Sequence, residues 1–92
     1  MIKSFLCADT EALFHSHGVR RWKNIERFAR RKLLQLNAAT NLHDLHIPPG
    51  NRLDPLKPYR KGQRSIRIND QWRVCFKWKS DGPHDVEITD YH

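Results

Sequence analysis

Gln63-Arg64-Ser65-Ile66-Arg67-Ile68-Asn69-Asp70-Gln71-Trp72-Arg73-Val74-Cys75-Phe76-Lys77-Trp78 is the stretch that decides the fold. Ser65 to Ile68 alternates polar and apolar residues, and so does Trp72 to Trp78. A period of two marks a strand with one face buried. Asn69-Asp70 between the runs is turn chemistry. A third run, Val86-Glu87-Ile88-Thr89-Asp90-Tyr91-His92, follows a second turn signal, Ser80-Asp81-Gly82-Pro83. The pattern predicts an antiparallel three-stranded meander. One face carries Ile66, Ile68, Trp72, Val74, Phe76 and Trp78 and requires a core. The other carries Arg67, Arg73 and Lys77 and is open to a partner.

Working outward, the segment before the meander is basic and proline-restricted: Arg52-Leu53-Asp54-Pro55-Leu56-Lys57-Pro58-Tyr59-Arg60-Lys61-Gly62. It reads as a structured loop whose cations suit phosphate contact, or as an ordinary solvated loop. His46-Ile47-Pro48-Pro49-Gly50-Asn51 is also a loop, because adjacent prolines remove two backbone donors. Asn41 to Leu45 has room for one helical turn. Further back, Trp22, Ile25, Phe28, Ala29, Leu33 and Leu36 recur at spacings of three and four, which predicts an amphipathic helix ending near 37–39. Thr10 to His17 reads as a two-turn helix with Asp9 as N-cap and Gly18 as its stop. Ile2 to Leu6 reads as a short strand. The whole chain, residues 1–92, is then one α+β domain: strand, helix, helix, three strands, with the helices on one face of an antiparallel sheet.

Ninety-two residues carry a net charge of +7. That balance favours a polyanionic partner, since Lys and Arg release counterions when they bind phosphates. The opening residues are too short and broken for a signal peptide, and no run approaches the roughly 18 apolar residues of a membrane span. A cytoplasmic protein without a membrane role is expected. Cys7 and Cys75 do not form a disulfide framework, and no CxxC is present. His15-x-His17 lacks a third ligand, so neither a metal nor a cofactor is expected.

Metal-independent RNA cleavage uses attack of a ribose 2′-OH on the adjacent phosphate. It needs a base, an acid and positive charge on the phosphorane. His92, Asp90, Tyr91 and Asp54 are the candidates for proton transfer. Arg73 and Lys57 are the candidates for charge stabilisation, with Arg67, Arg60 and Arg64 as further RNA-binding cations. His92 titrates nearest neutrality and stands beside its own α-carboxylate, which suits it to the acid role. Composition and spacing alone reach a basic α/β domain that binds RNA or phosphate.

Met1-Ile2-Lys3-Ser4-Phe5, Arg52-Leu53-Asp54-Pro55-Leu56-Lys57, the hairpin from Ser65 to Phe76 and the closing Asp90-Tyr91-His92 together resemble the HigB toxins of the RelE/ParE superfamily. The resemblance implies a compact, microbial-ribonuclease-like (RelE-like) fold. It implies a ribosome-dependent endoribonuclease that cuts mRNA in the 30S A site, close to rRNA. It also implies a HigA-type helix-turn-helix antitoxin, through which operator DNA is contacted indirectly. Asp90, Tyr91 and His92 match the family's catalytic tail, and Arg73 and Lys57 match its basic positions. HigB members can carry histidine where this chain has Asp54. An ionised aspartate accepts a proton but does not donate one unless its pKa is raised. The alternatives are a ParE-like toxin acting on DNA gyrase and a plain basic nucleic-acid-binding module.

Overall fold

The alternating runs pair as expected. In the computed structural model, which describes residues 1–55 and 62–90, the strands are β2 (Gln63–Arg67), β3 (Trp72–Lys79) and β4 (Gly82–Asp90). All three are antiparallel neighbours, and a two-residue β1 (Asp54–Pro55) adds to the free side of β2, giving the order β1-β2-β3-β4. Ile66 faces Val74 and Val74 faces Ile88, so one apolar row crosses the sheet. The β2–β3 turn is closed by Asn69, whose Oδ1 accepts from the backbone N–H of Gln71 at 2.9 Å and of Trp72 at 2.8 Å. The β3–β4 turn is tighter than its composition suggested. Gly82 and Pro83 already pair with Lys79 and Trp78, leaving only Ser80 and Asp81 to connect the strands.

Two helices, α1 (Ala8–Phe14) and α2 (Glu26–Ala38), share one side of the sheet. Leu13, Trp22, Ile25, Ala29, Leu33, Leu36 and Leu45 meet Ile66, Val74, Phe76, Val86 and Ile88 in one cluster. Each fully buried leucine there contributes ~2 kcal/mol of transfer free energy. The expected stripe is correct except at Phe28, which is 52% exposed. Trp22 and Ile25 belong to the preceding turns, and α2 itself buries only Ala29, Leu33 and Leu36. Phe28 adjoins that row and points outward.

Both ends of α1 differ from expectation. Cys7, not Asp9, occupies the N-cap, and Asp9 pairs with Arg21 at 3.3 Å. The earlier start lowers Thr10 onto β4, where its buried Oγ1 accepts from the Ile88 N–H at 3.0 Å. A tertiary bond has overridden the local cap preference. The helix stops at Ser16, not Gly18. Ser16 takes φ 68°, His17 N–H reaches the Ala12 carbonyl and Ser16 N–H the Leu13 carbonyl. That pair of bonds is a Schellman stop.

Residues 2–6 form no full strand. They make one parallel bridge, Phe5 with Val86. Three backbone bonds tie them to β4: Lys3 N–H to Pro83 O, Val86 N–H to Ser4 O, and Leu6 N–H to Val86 O. The limit is a bulge in β4. Its register with β3 slips between Cys75 and Lys77, and Asp85 is turned to φ 53°. Asn41 to Leu45 does hold a turn, the 3-10 helix Leu42–His46. It is closed by a capping box in which Asn41 and Asp44 bond each other's backbone N–H. A second 3-10 turn, Pro49–Asn51, leads into β1.

Candidate functional site

The face of the sheet away from the helices is built by strand alternation. Asp54 is opposite Ser65, Ser65 opposite Cys75, Arg67 opposite Arg73, and Arg73 opposite Thr89. The expectation that Arg73 points to this face is met, but not that it lies open there: Arg73 is only 6% exposed. Its Nε donates to Ser65 Oγ at 2.8 Å, and one Nη donates to the carbonyls of Arg52 at 2.5 Å and Ser65 at 3.3 Å. The same Nη lies 3.5 Å from Asp54 Oδ2. Arg52 takes part through its backbone. Its left-handed φ of 45° turns the chain leaving the 3-10 turn, and its carbonyl caps the guanidinium. A charge buried on its strand side and held by fixed acceptors needs little reorganisation to stabilise an anion.

Asp54 is the exposed member of the ion pair, with 62% of its side chain accessible. A carboxylate there stands beside Arg73 where an anionic ligand would lie. Arg67 reaches the exposed Asp70, and Lys77 sits 3.7 Å from Asp85. The outer face is therefore cationic but threaded with carboxylates.

Not every expected site residue joins this face. Arg64 is opposite Phe76, whose ring belongs to the core, so alternation carries it to the helix side. That corrects its grouping with Arg67. Asp90 is opposite Trp72, one step beyond Thr89, and Gln71 Nε2 donates to its Oδ2 at 3.1 Å. It marks the end of β4 on the side of Trp72 and not beside Arg73. Lys57, Arg60, Tyr91 and His92 lie outside the described residues.

Three residues that sequence reasoning passed over support the face. Ser65 orients Arg73, and its signal was a hydroxyl in the strand opposite the arginine row. Asn51 is completely buried. Its Nδ2 donates to Gln35 Oε1 and Leu45 O at 3.1 Å and to Ile47 O at 3.3 Å, while its Oδ1 accepts from Lys32 Nζ. Lys32 is thereby tied to the 3-10 turn that leads into β1. Burial, then the charges of Arg31 and Arg67, lower the affinity of its amine for a proton below that of an ordinary lysine. Among the described residues no group of His, Cys, Asp or Glu could hold a metal ion, and no helix is long and apolar enough to cross a membrane.

Comparison with known proteins adds identity to this geometry. Residues 11–92 match the model of a family described as the RelE-like toxin of the type II toxin–antitoxin system HigB. Toxin HigB-1 of Vibrio cholerae is 49% identical over 55 residues, 60% of this chain and 58% of that protein. An uncharacterised protein of Haemophilus influenzae is 36% identical over 65 residues, 71% of this chain and 64% of its own. The aligned segments thus span about three fifths of these relatives.

Proposed function

We propose that this chain, which belongs to the HigB-like family of RelE-like toxins of type II toxin–antitoxin systems, is a ribosome-dependent endoribonuclease that cleaves mRNA in the A site. The observation that supports this reading most is the family match through the whole sheet to residue 92. The held Arg73–Asp54 pair on the outer face agrees with it.

In this reading the ribosome bends the mRNA and brings a ribose 2′-OH in line with its own phosphate. Asp54 accepts the 2′-OH proton. The 2′-oxygen bonds to phosphorus as the 5′-oxygen leaves, and His92 gives the leaving oxygen its proton. Arg73, held by Ser65 and the Arg52 carbonyl, stabilises the charge that develops on the equatorial oxygens. Arg67, Lys57 and Arg60 hold the neighbouring backbone. Asp90 is tethered by Gln71, and Tyr91 stacks on a base or shares the proton transfer. A HigA-type antitoxin silences the protein in the cell.

The test is a cell-free translation reaction with added protein, followed by mapping of mRNA ends. Cuts at A-site codons with little cleavage of free RNA are expected. Intact A-site mRNA, or DNA damage in place of translation arrest in cells, overturns the reading. Within it, His92→Ala abolishes toxicity while leaving the melting temperature unchanged. A toxic His92→Ala variant removes His92 from the mechanism.

A further inference from the structure

Arg31 and Lys32 lie on α2, and nothing in the proposed reaction uses them. Arg31 is exposed, but Lys32 is half-buried and its ammonium is held in place. Lys32 Nζ is fixed by Asn51, and Asn51 is itself fully buried and held by three further hydrogen bonds. Arg52, the next residue, gives its carbonyl to Arg73. Arg67 stands opposite Arg73 across the β2–β3 ladder and is close enough to Lys32 to affect its protonation. Among the described residues neither Arg31 nor Lys32 has a carboxylate within ion-pair distance. The carboxylate that reaches the cluster is Asp70, fully exposed and already on Arg67.

Arg31 and Lys32 have no carboxylate partner among the described residues, and like charges repel unless an anion joins them. A buried amide spent on orienting one of those ammonium groups is a built support and not an accident of a flexible side chain. The three cations lie on two elements, α2 and β2, and Arg67 faces Arg73 in the β2–β3 register.

We infer that Arg31, Lys32 and Arg67 form a phosphodiester-binding track that carries the backbone of the substrate RNA from the Arg73 site over the sheet edge onto α2. The ligand is single-stranded RNA, recognised through its phosphates and without base preference. The inference deepens the ribonuclease reading and rests on it for the identity of the strand, but it is a statement about binding and is read without cleavage.

The experiment measures binding of the full-length protein to fluorescein-labelled single-stranded RNA oligonucleotides by anisotropy across a salt series. For single strands, removing one phosphate-binding cation lowers the slope of log K against log salt by about 0.7. Lys32→Gln and Arg31→Gln are each expected to lower it by about that amount, and the double variant by roughly twice as much. Lys32→Arg, which restores the charge, should restore the slope. Lys79→Gln, at the distant β3–β4 turn, should leave it unchanged. Arg31 is exposed, so Arg31→Gln reports on the track even if Lys32→Gln disturbs Asn51. Slopes unaltered in Arg31→Gln and the double variant overturn the inference. So does loss of ribosome association with RNA binding intact, which assigns these cations to ribosomal RNA. Absence of A-site cleavage alongside the expected slopes defeats the ribonuclease reading and leaves the track standing.

Discussion

Single residues here carry conformations that their side chains do not favour. Ser16 closes the Schellman stop of α1 at φ 68°, a region in which a Cβ costs roughly 1 kcal/mol and glycine does not. Ser16→Gly should therefore raise stability by about 0.5–1 kcal/mol and the melting temperature by several degrees, measured by thermal denaturation. The sequence offered Gly18 for that job, because glycine is the usual stop. It did not reveal that Thr10 pulls the helix start back to meet β4, which moves the end as well. Asp54 is the other residue whose setting decides its effect. It is the carboxylate paired with Arg73 and the proton acceptor of the proposed reaction. Asp54→Asn should raise RNA affinity up to about fivefold, since an exposed ion pair is worth at most ~1 kcal/mol, and lower the single-turnover cleavage rate. Anisotropy and quenched-flow measurements separate the two.

At the scale of elements, the meander was legible in the sequence because alternation and turn residues agree along it. What alternation does not tell is what covers a face. Arg73 lies on the expected side, but the chain leaving Pro49–Asn51 folds over it and turns an outward arginine into a buried one. That return depends on contacts distant in sequence, Asn51 to α2 and Arg52 to β3, which no local pattern encodes. The adjoining 3-10 helix is locally specified. Asp44 accepts from Thr40 N and Oγ1 and from Asn41 N, and these bonds hold its carboxyl below the ordinary value of 3.8. A lowered folded-state pKa gives stability that is present above the unfolded value and is lost as pH falls through the folded one. Asp44→Asn should therefore melt earlier than the parent at neutral pH, with the gap closing well below pH 4 in an acid series.

For the molecule as a whole, composition bears on the kind of partner and not on the place where it would bind. A charge of +7 favours a polyanionic partner. The fold distributes that charge unevenly, tying Lys77 and Arg67 to carboxylates while leaving Arg31 and Lys32 with none among the described residues. Family membership was legible in the hairpin and the Asp-Tyr-His ending. The supporting shell of Ser65, Asn51 and Lys32 was not, since none belongs to a motif and each acts through a neighbour.

The segment Ile2–Leu6, bonded to β4 but interrupted by the Asp85 bulge, has a consequence for how these molecules treat one another. It lies along the hem of the sheet, and Gly82 is bare there because a methyl group would come within 2.9 Å of the Met1 carbonyl. A hem left unstitched offers its amides and carbonyls to any passing strand. Removing residues 1–6 should bare the β4 edge and promote strand pairing between copies, visible as a concentration-dependent rise in mass by light scattering. Residues 2–6 thus act as a selvedge along β4, covering backbone groups that would otherwise be open.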